Sequence, residues 1–321
     1  MTIQSDSTLQ RYPREFGRLA TLACLLECLA PKPGNVHRSA DFEDVTIYDF
    51  QTSAVVLGEV LDEFGEASFG ETVLAAVRAT NQAVGTNTNL GLILLLTPLV
   101  KVCQQLDFTI ESKLNPTSIN DYLNTLTAED GRLVYQAINE AKPGGMGSVK
   151  SLDVTSHDGP VDLLKAMRLA SDSDSIALQY VNGFDALFQT GLRLLNIGRQ
   201  WFERDEKAIP FVHVAWIAAQ GDSLIARKCG TEINAQAKDR AGSCLDLLFE
   251  GSSSLLLGPN VPSTPNQQQC ERFWQQVGDF DFWLRSDGHR RNPGTTADLI
   301  GATLFIDLVS QSMPDRSQSN F

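Results

Sequence analysis

Along most of the chain, apolar side chains return every three or four residues, the spacing that gathers them on one face of a helix. Leu19, Leu22, Leu26 and Leu29 make one such stripe, Val73, Leu74, Val77 and Val84 a second, and Phe184, Phe188, Leu192 and Leu195 a third. Strict alternation of apolar and polar residues, the mark of a half-buried strand, is scarce. Phe211 to Ala215 is a strand candidate, although the surrounding FVHVAWIAAQ fits a buried helix equally well.

Proline and glycine cut this pattern into about a dozen pieces. The predicted helices run over roughly 14–30, 47–64, 69–84, 89–105, 117–125, 128–141, 161–171, 174–198, 205–219, 230–250, 266–286 and 294–312. No fixed-period repeat and no low-complexity linker divides the halves. The expected fold class is therefore all-α, a single-domain multi-helix bundle over residues 13–312. Residues 1–12 and the tail 313–321 are polar enough to be flexible.

Composition narrows the function classes. Against 26 Lys and Arg stand 39 Asp and Glu, a net charge of -13. That balance excludes general nucleic-acid binding, which is driven by phosphate neutralisation, while leaving room for a local basic pocket. The N-terminal MTIQSDSTLQRYPRE lacks the apolar core of a secretory signal. The longest apolar run, Leu90 to Leu96, meets Pro98 well short of the ~20 residues that span a bilayer. A cytoplasmic protein without membrane partners is expected. Its six cysteines are scattered, without paired zinc spacing or the density of a disulfide scaffold, and are expected to be reduced. Apolar helix faces beyond the needs of one core would support a homodimer.

Five stretches combine a chain-breaking turn with polar residues at a helix end. In PKPGNVHRSADFED, Pro31 and Pro33 stop a helix, Gly34 allows a positive φ, and Lys32, Asn35, His37, Arg38, Asp41, Glu43 and Asp44 follow. A solvated loop is the plain alternative. VGTNTNLG places Asn87, Thr88 and Asn89 before an apolar helix, where they cap its N-terminus or help its amides to receive a phosphate. EAKPGGMG offers Gly144 and Gly145 for close backbone approach, but matches neither the GxxxxGK[ST] nor the GxGxxG phosphate pattern. QGDSLIARKCG sets Asp222, a carboxylate able to hold Mg²⁺, near Arg227 and Lys228, cations able to hold phosphate; a surface ion pair explains them too. HRRNPGTTADLIGATLFI brings Arg291, a Pro293-Gly294 turn and a helix with Asp298 in its first turn, where capping and dipole effects would suffice. Their common form implies several helix ends converging on one polar pocket.

In the same order along the chain, PKPGNVHRSADFED, TNTNLG, GDSLIARKCG and NPGTTADLIGATLFI resemble the triphosphoribosyl-dephospho-CoA synthase family, over about Glu27 to Phe305. The resemblance implies an all-helical fold and transfer of the triphosphoribosyl unit of ATP to the 2′-hydroxyl of 3′-dephospho-CoA, releasing adenine. The product is the prosthetic-group precursor of citrate lyase or malonate decarboxylase. Many synthases carry NTHKG where this chain has Asn87-Thr88-Asn89-Leu90-Gly91, and DTN where it has Asp222-Ser223-Leu224, which points to a divergent branch.

Such a reaction builds oxocarbenium character at the ribose C1, so the resemblance implies carboxylates nearby, with Asp44 or Asp41 stabilising that cation or taking the proton from the attacking 2′-hydroxyl. His37 would protonate the departing adenine or, equally, donate a hydrogen bond to phosphate. Lys32, Arg227, Lys228 and Arg291 would neutralise phosphates, with Gly34, Asn35, Asn87, Asn89, Gly144, Gly145 and Gly294 supplying amides and close approach. Mg²⁺ on the triphosphate would be held by Asp44 and Asp222. A different enzyme using a nucleoside triphosphate, or a nucleotide-binding helical protein without turnover, are the alternative readings.

Overall fold

The computed structural model describes residues 16–106, 113–142, 162–249, 256, 258 and 261–312. Gly144, Gly145 and both chain ends, 1–15 and 313–321, lie outside the described residues. Among the described residues there are fourteen α-helices: α1 Phe16–Leu29, α2 Ile47–Glu63, α3 Phe69–Val84, α4 Leu90–Gln105, α5 Pro116–Leu123, α6 Ala128–Ala141, α7 Leu163–Ala170, α8 Ser175–Asn182, α9 Leu192–Phe202, α10 Asp205–Gln220, α11 Ser223–Cys229, α12 Thr231–Leu245, α13 Gln267–Arg285 and α14 Gly294–Gln311. Among the described residues there is no strand; one isolated bridge joins His37 and Ala40. No single described helix is long and apolar enough to cross a membrane.

Three helices are buried on nearly every side. These are α4, enclosed from Leu92 to Cys103, α10, enclosed from Ala208 to Ala218, and α14, enclosed over most of Thr295 to Val309. All-round burial is why Phe211 to Ala215 reads ambiguously in sequence: its β-branched and aromatic side chains fill the core around α10 and form no strand. The remaining helices wrap this centre with one apolar face each, and the buried side chains form one continuous cluster.

Two local solutions keep the centre polar-balanced. Pro98 inside α4 has no N–H for the Leu94 carbonyl, and the Tyr180 hydroxyl of α8 donates to that oxygen instead, at 2.6 Å. Lys101, only 5% exposed, donates its three protons to the carbonyls of Phe64, Gly65 and Ala67 at 2.6–3.0 Å, pinning the α2–α3 turn onto α4.

The helix predicted over 174–198 is broken. Gly183 ends α8 in the left-handed conformation, and a π-turn over Leu187–Gly191 leads into α9. Helix α11 was not anticipated, because seven residues are too few to display a period.

Candidate active site

Helix ends do converge. A cleft of about 1600 Å³ is lined by the N-terminal ends of α4, α8 and α14, the C-terminal ends of α1, α3 and α6, one face of α11, and the turns at 42–45 and 288–292.

The Pro-Lys-Pro-Gly turn fixes the end of α1 but keeps its charge inside. Lys32 is 0% exposed; its ammonium pairs with the Glu27 carboxylate at 2.9 Å and donates to the carbonyls of Glu27 and Ala30. Sealed in this way, it cannot neutralise a phosphate in the cleft, and the role expected from sequence is corrected to that of counter-ion and helix cap. Gly34 adopts φ +77, and its N–H donates to Asp281 at 2.6 Å. A methyl group there would lie 2.7 Å from Leu284 and 2.9 Å from Pro293, so the glycine serves close packing onto α13. Arg285 of α13 reaches both Asp281, at 2.8 Å, and the Asn35 carbonyl. Asn35 faces the cleft and points its amide at the Pro293 carbonyl, 3.5 Å away.

The acidic cluster after this turn divides. Asp41 accepts the Ile47 N–H at 2.7 Å at the start of α2, away from the cleft lining. His37 is also outside the lining; its Nδ1 accepts the Ser39 N–H. Burial, together with Arg285 and Lys32, pushes its pKa down to about 4, so it is neutral at pH 7 and a poor proton donor to a leaving base. Asp44 lies on the cleft rim, exposed, near Lys228.

Asp222 is 1% exposed. One oxygen caps α11 by accepting from Leu224 and Ile225, and the other accepts from the Thr296 N–H and hydroxyl at 2.7 and 2.8 Å. It staples α11 to α14, and four hydrogen bonds leave no oxygen directed at a cation in the cleft. Arg291 stacks on Trp283 at 4.4 Å and donates to the Trp283 carbonyl, again behind the lining. Arg227, Lys228 and Gly294 do line the cleft, as do Asn87 and Asn89. Asn87 caps α4 by accepting from Leu90 at 3.1 Å, whereas the buried Asn89 amide nitrogen has no partner.

Of the cleft carboxylates not proposed from sequence, Glu140 and Asp174 are taken up by Arg78 and Arg227, which leaves Glu27 and Asp298. Glu27 comes from the C-terminal turn of α1 and Asp298 from α14, one residue past its first turn. Asp298 packs against Gly91, near the N-terminus of α4, where a β-carbon would collide with its Oδ2. It is partly open to the cleft, and no described residue hydrogen-bonds to it. Burial raises its pKa well above the ordinary value, and Glu27, Asp222 and Asp174 raise it further, with Arg227 opposing. Burial also raises Glu27, against the pull of Lys32. The Cys28 thiol in the same wall is lifted to about 12, by burial first and Glu27 second, and stays protonated.

Cations gather at the rim formed by α11 and the 288–292 turn. Arg227 pairs with Asp174 at 2.6 Å; Lys228 follows on α11, and Arg290 donates to the Lys228 carbonyl at 3.2 Å. His289 stacks on Phe42, ring centres 4.0 Å apart, closing this end. Glu27 was legible as a lone carboxylate in the apolar run LLECLA, whereas Asp298 read as a residue placed for the helix dipole and instead lies one residue past the first turn.

No curated protein matches the sequence at a significant level. A solved crystal structure from Archaeoglobus fulgidus, named as a triphosphoribosyl-dephospho-CoA synthase, superposes with a TM-score of 0.56 at 19% identity, covering 82% of this chain and 99% of its own, and thereby shares the fold. The family model for ATP:dephospho-CoA triphosphoribosyl transferase matches residues 13–317, and the chain belongs to that transferase family, CitG.

Proposed function

We propose that this chain transfers the triphosphoribosyl group of ATP to the 2′-hydroxyl of 3′-dephospho-CoA, and that Asp298 is the acid from which adenine takes its proton. The observation that carries the assignment is the Asp298 carboxyl itself: it faces the cleft beside Gly91, no described residue hydrogen-bonds to it, and burial with three neighbouring carboxylates shifts it towards its protonated form.

In the reaction, the ribose C1–N9 bond breaks with its electron pair leaving on adenine, and the acceptor oxygen bonds to C1 as its hydroxyl proton passes to solvent water. Proton donation to the ring lowers the cost of that electron pair, and a nearby anion offsets the positive charge that grows on C1. Asp298 supplies the proton. Glu27, beside it and kept in place by Lys32, supplies the negative charge. Arg227, Lys228 and Arg290 face the triphosphate, where guanidinium groups suit paired phosphate oxygens. Asp44 belongs to that phosphate end of the cleft, away from C1.

Mg²⁺ bound through protein needs one or two free carboxylates beside the phosphates. The expected pair, Asp44 and Asp222, does not fit one ion, because Asp222 is enclosed and fully hydrogen-bonded while Asp44 stands on the rim. Among the described residues, no cluster of three or more His, Cys, Asp or Glu side chains is arranged to hold a metal. No step here is routed through one. Dependence on ATP places the reaction in the cytoplasm.

Mass spectrometry of purified protein with ATP and 3′-dephospho-CoA tests the reading. Free adenine and the coupled product should form in equal amounts. Release of ADP or pyrophosphate instead would overturn it.

A further inference from the structure

We infer that the cleft holds two subsites on either side of Asp298, and that the one walled by α6, α7 and α8 binds the uncharged amide-and-methylene arm of dephospho-CoA. This rests on the transferase reading above, and it decides which substrate lies where. The volume, about 1600 Å³, exceeds the ~300–1,000 Å³ usual for a single small ligand, so the cleft has room for two.

The two ends differ in chemistry. One carries Arg227, Lys228 and Arg290. The other is lined by Ile138 of α6, Leu163, Ala166 and Met167 of α7, Ala177 of α8 and Leu94 of α4. These are apolar side chains on packed helices: Leu163, Ala166 and Met167 are all under 9% exposed. Glu140 at this end is already held through both oxygens by Arg78, each contact 2.8 Å, and Lys142 on the rim is the sole cation among the described residues lining it.

A triphosphate placed there would lose water without gaining counter-charge. The Arg227–Asp174 ion pair, joining α11 to the start of α8, marks where one end gives way to the other. With ATP's phosphates at the cationic end and its C1 at Asp298, the acceptor approaches from the remaining side. Of the acceptor's parts, only the long arm beyond its diphosphate is uncharged and flexible enough to lie along an apolar wall. Methionine suits such a wall, because its unbranched side chain adapts to a flexible ligand.

The probe is 4′-phosphopantetheine, which carries the arm without adenosine. Calorimetry should show it binding to the wild-type protein, undisplaced by ATP, and inhibition should be competitive with dephospho-CoA alone. Met167→Glu should weaken its Kd about ten-fold or more, while the Kd for ATP stays within about two-fold. Ala170→Glu, at a partly exposed position on the same lining, should do the same and guards against misfolding of the first variant. Displacement of the probe by ATP, or equal binding to wild type and both variants, would overturn the assignment. If no adenine is released but the probe binds and the variants lose it, the arm subsite stands and the transferase reading falls.

Discussion

The turns at 31–46 and 288–298 look alike in sequence, each a proline-glycine break among basic and acidic residues, yet the fold uses them in opposite ways. In the first, Lys32, Gly34 and Asp41 are bound internally, and even His37 is held neutral. In the second, Thr296 is spent on Asp222, and no described residue hydrogen-bonds to Asp298, two residues on, which faces the cleft. Density of charge therefore does not locate chemistry. A carboxyl that folding leaves unsatisfied does.

Replacing Asp298 with Asn tests this contrast most severely. Adenine release should fall by about 10²–10⁴-fold, the range of a lost general acid, while the fold is kept. Its stability should move the other way. Because the folded chain holds a proton that the unfolded chain releases above the ordinary value of 3.8, wild-type stability falls as pH rises through the window above 3.8. The variant should therefore melt higher than wild type at neutral pH, and the gap should close towards pH 3.8. Unchanged turnover would shift the acid to another group.

Lys32→Ala comes next, as a loss of stability rather than affinity. Leaving Glu27 buried without its partner should cost about 3–5 kcal/mol in denaturant unfolding. A folded variant with raised KM for ATP would instead make Lys32 a phosphate ligand. Gly34→Ala should cost about 1–3 kcal/mol, since φ +77 and the contacts with Leu284 and Pro293 both oppose a side chain. The smallest effect is expected at the rim, where Asp44→Asn should change kcat by less than about three-fold. A large loss there would return the acid–base role to the first turn.

Much of the fold was legible because amphipathic stripes and breakers agree: α2, α3, α4, α6 and α10 begin and end within a residue or so of their predicted bounds. The break at Gly183 was hidden because apolar spacing continues across it, and a π-turn leaves no compositional trace. The convergence of helix ends was readable from repeated breaker turns. Individual roles were not, since Asp222 and Asp298 have the same side chain in similar helix starts and differ only in how many donors surround them. That number is set by tertiary neighbours such as Thr296 and Gly91, far away in sequence.

The Glu27–Lys32 pair also bears on how the chain assembles. Its partners are five residues apart, so joining them closes a very short loop and needs no distant helix. Their opposite charges can therefore cancel while α1 is still a local structure. What α14 packs against is therefore a carboxylate already paired within its own segment, so the negative charge beside the reaction centre is held in the interior without being bare.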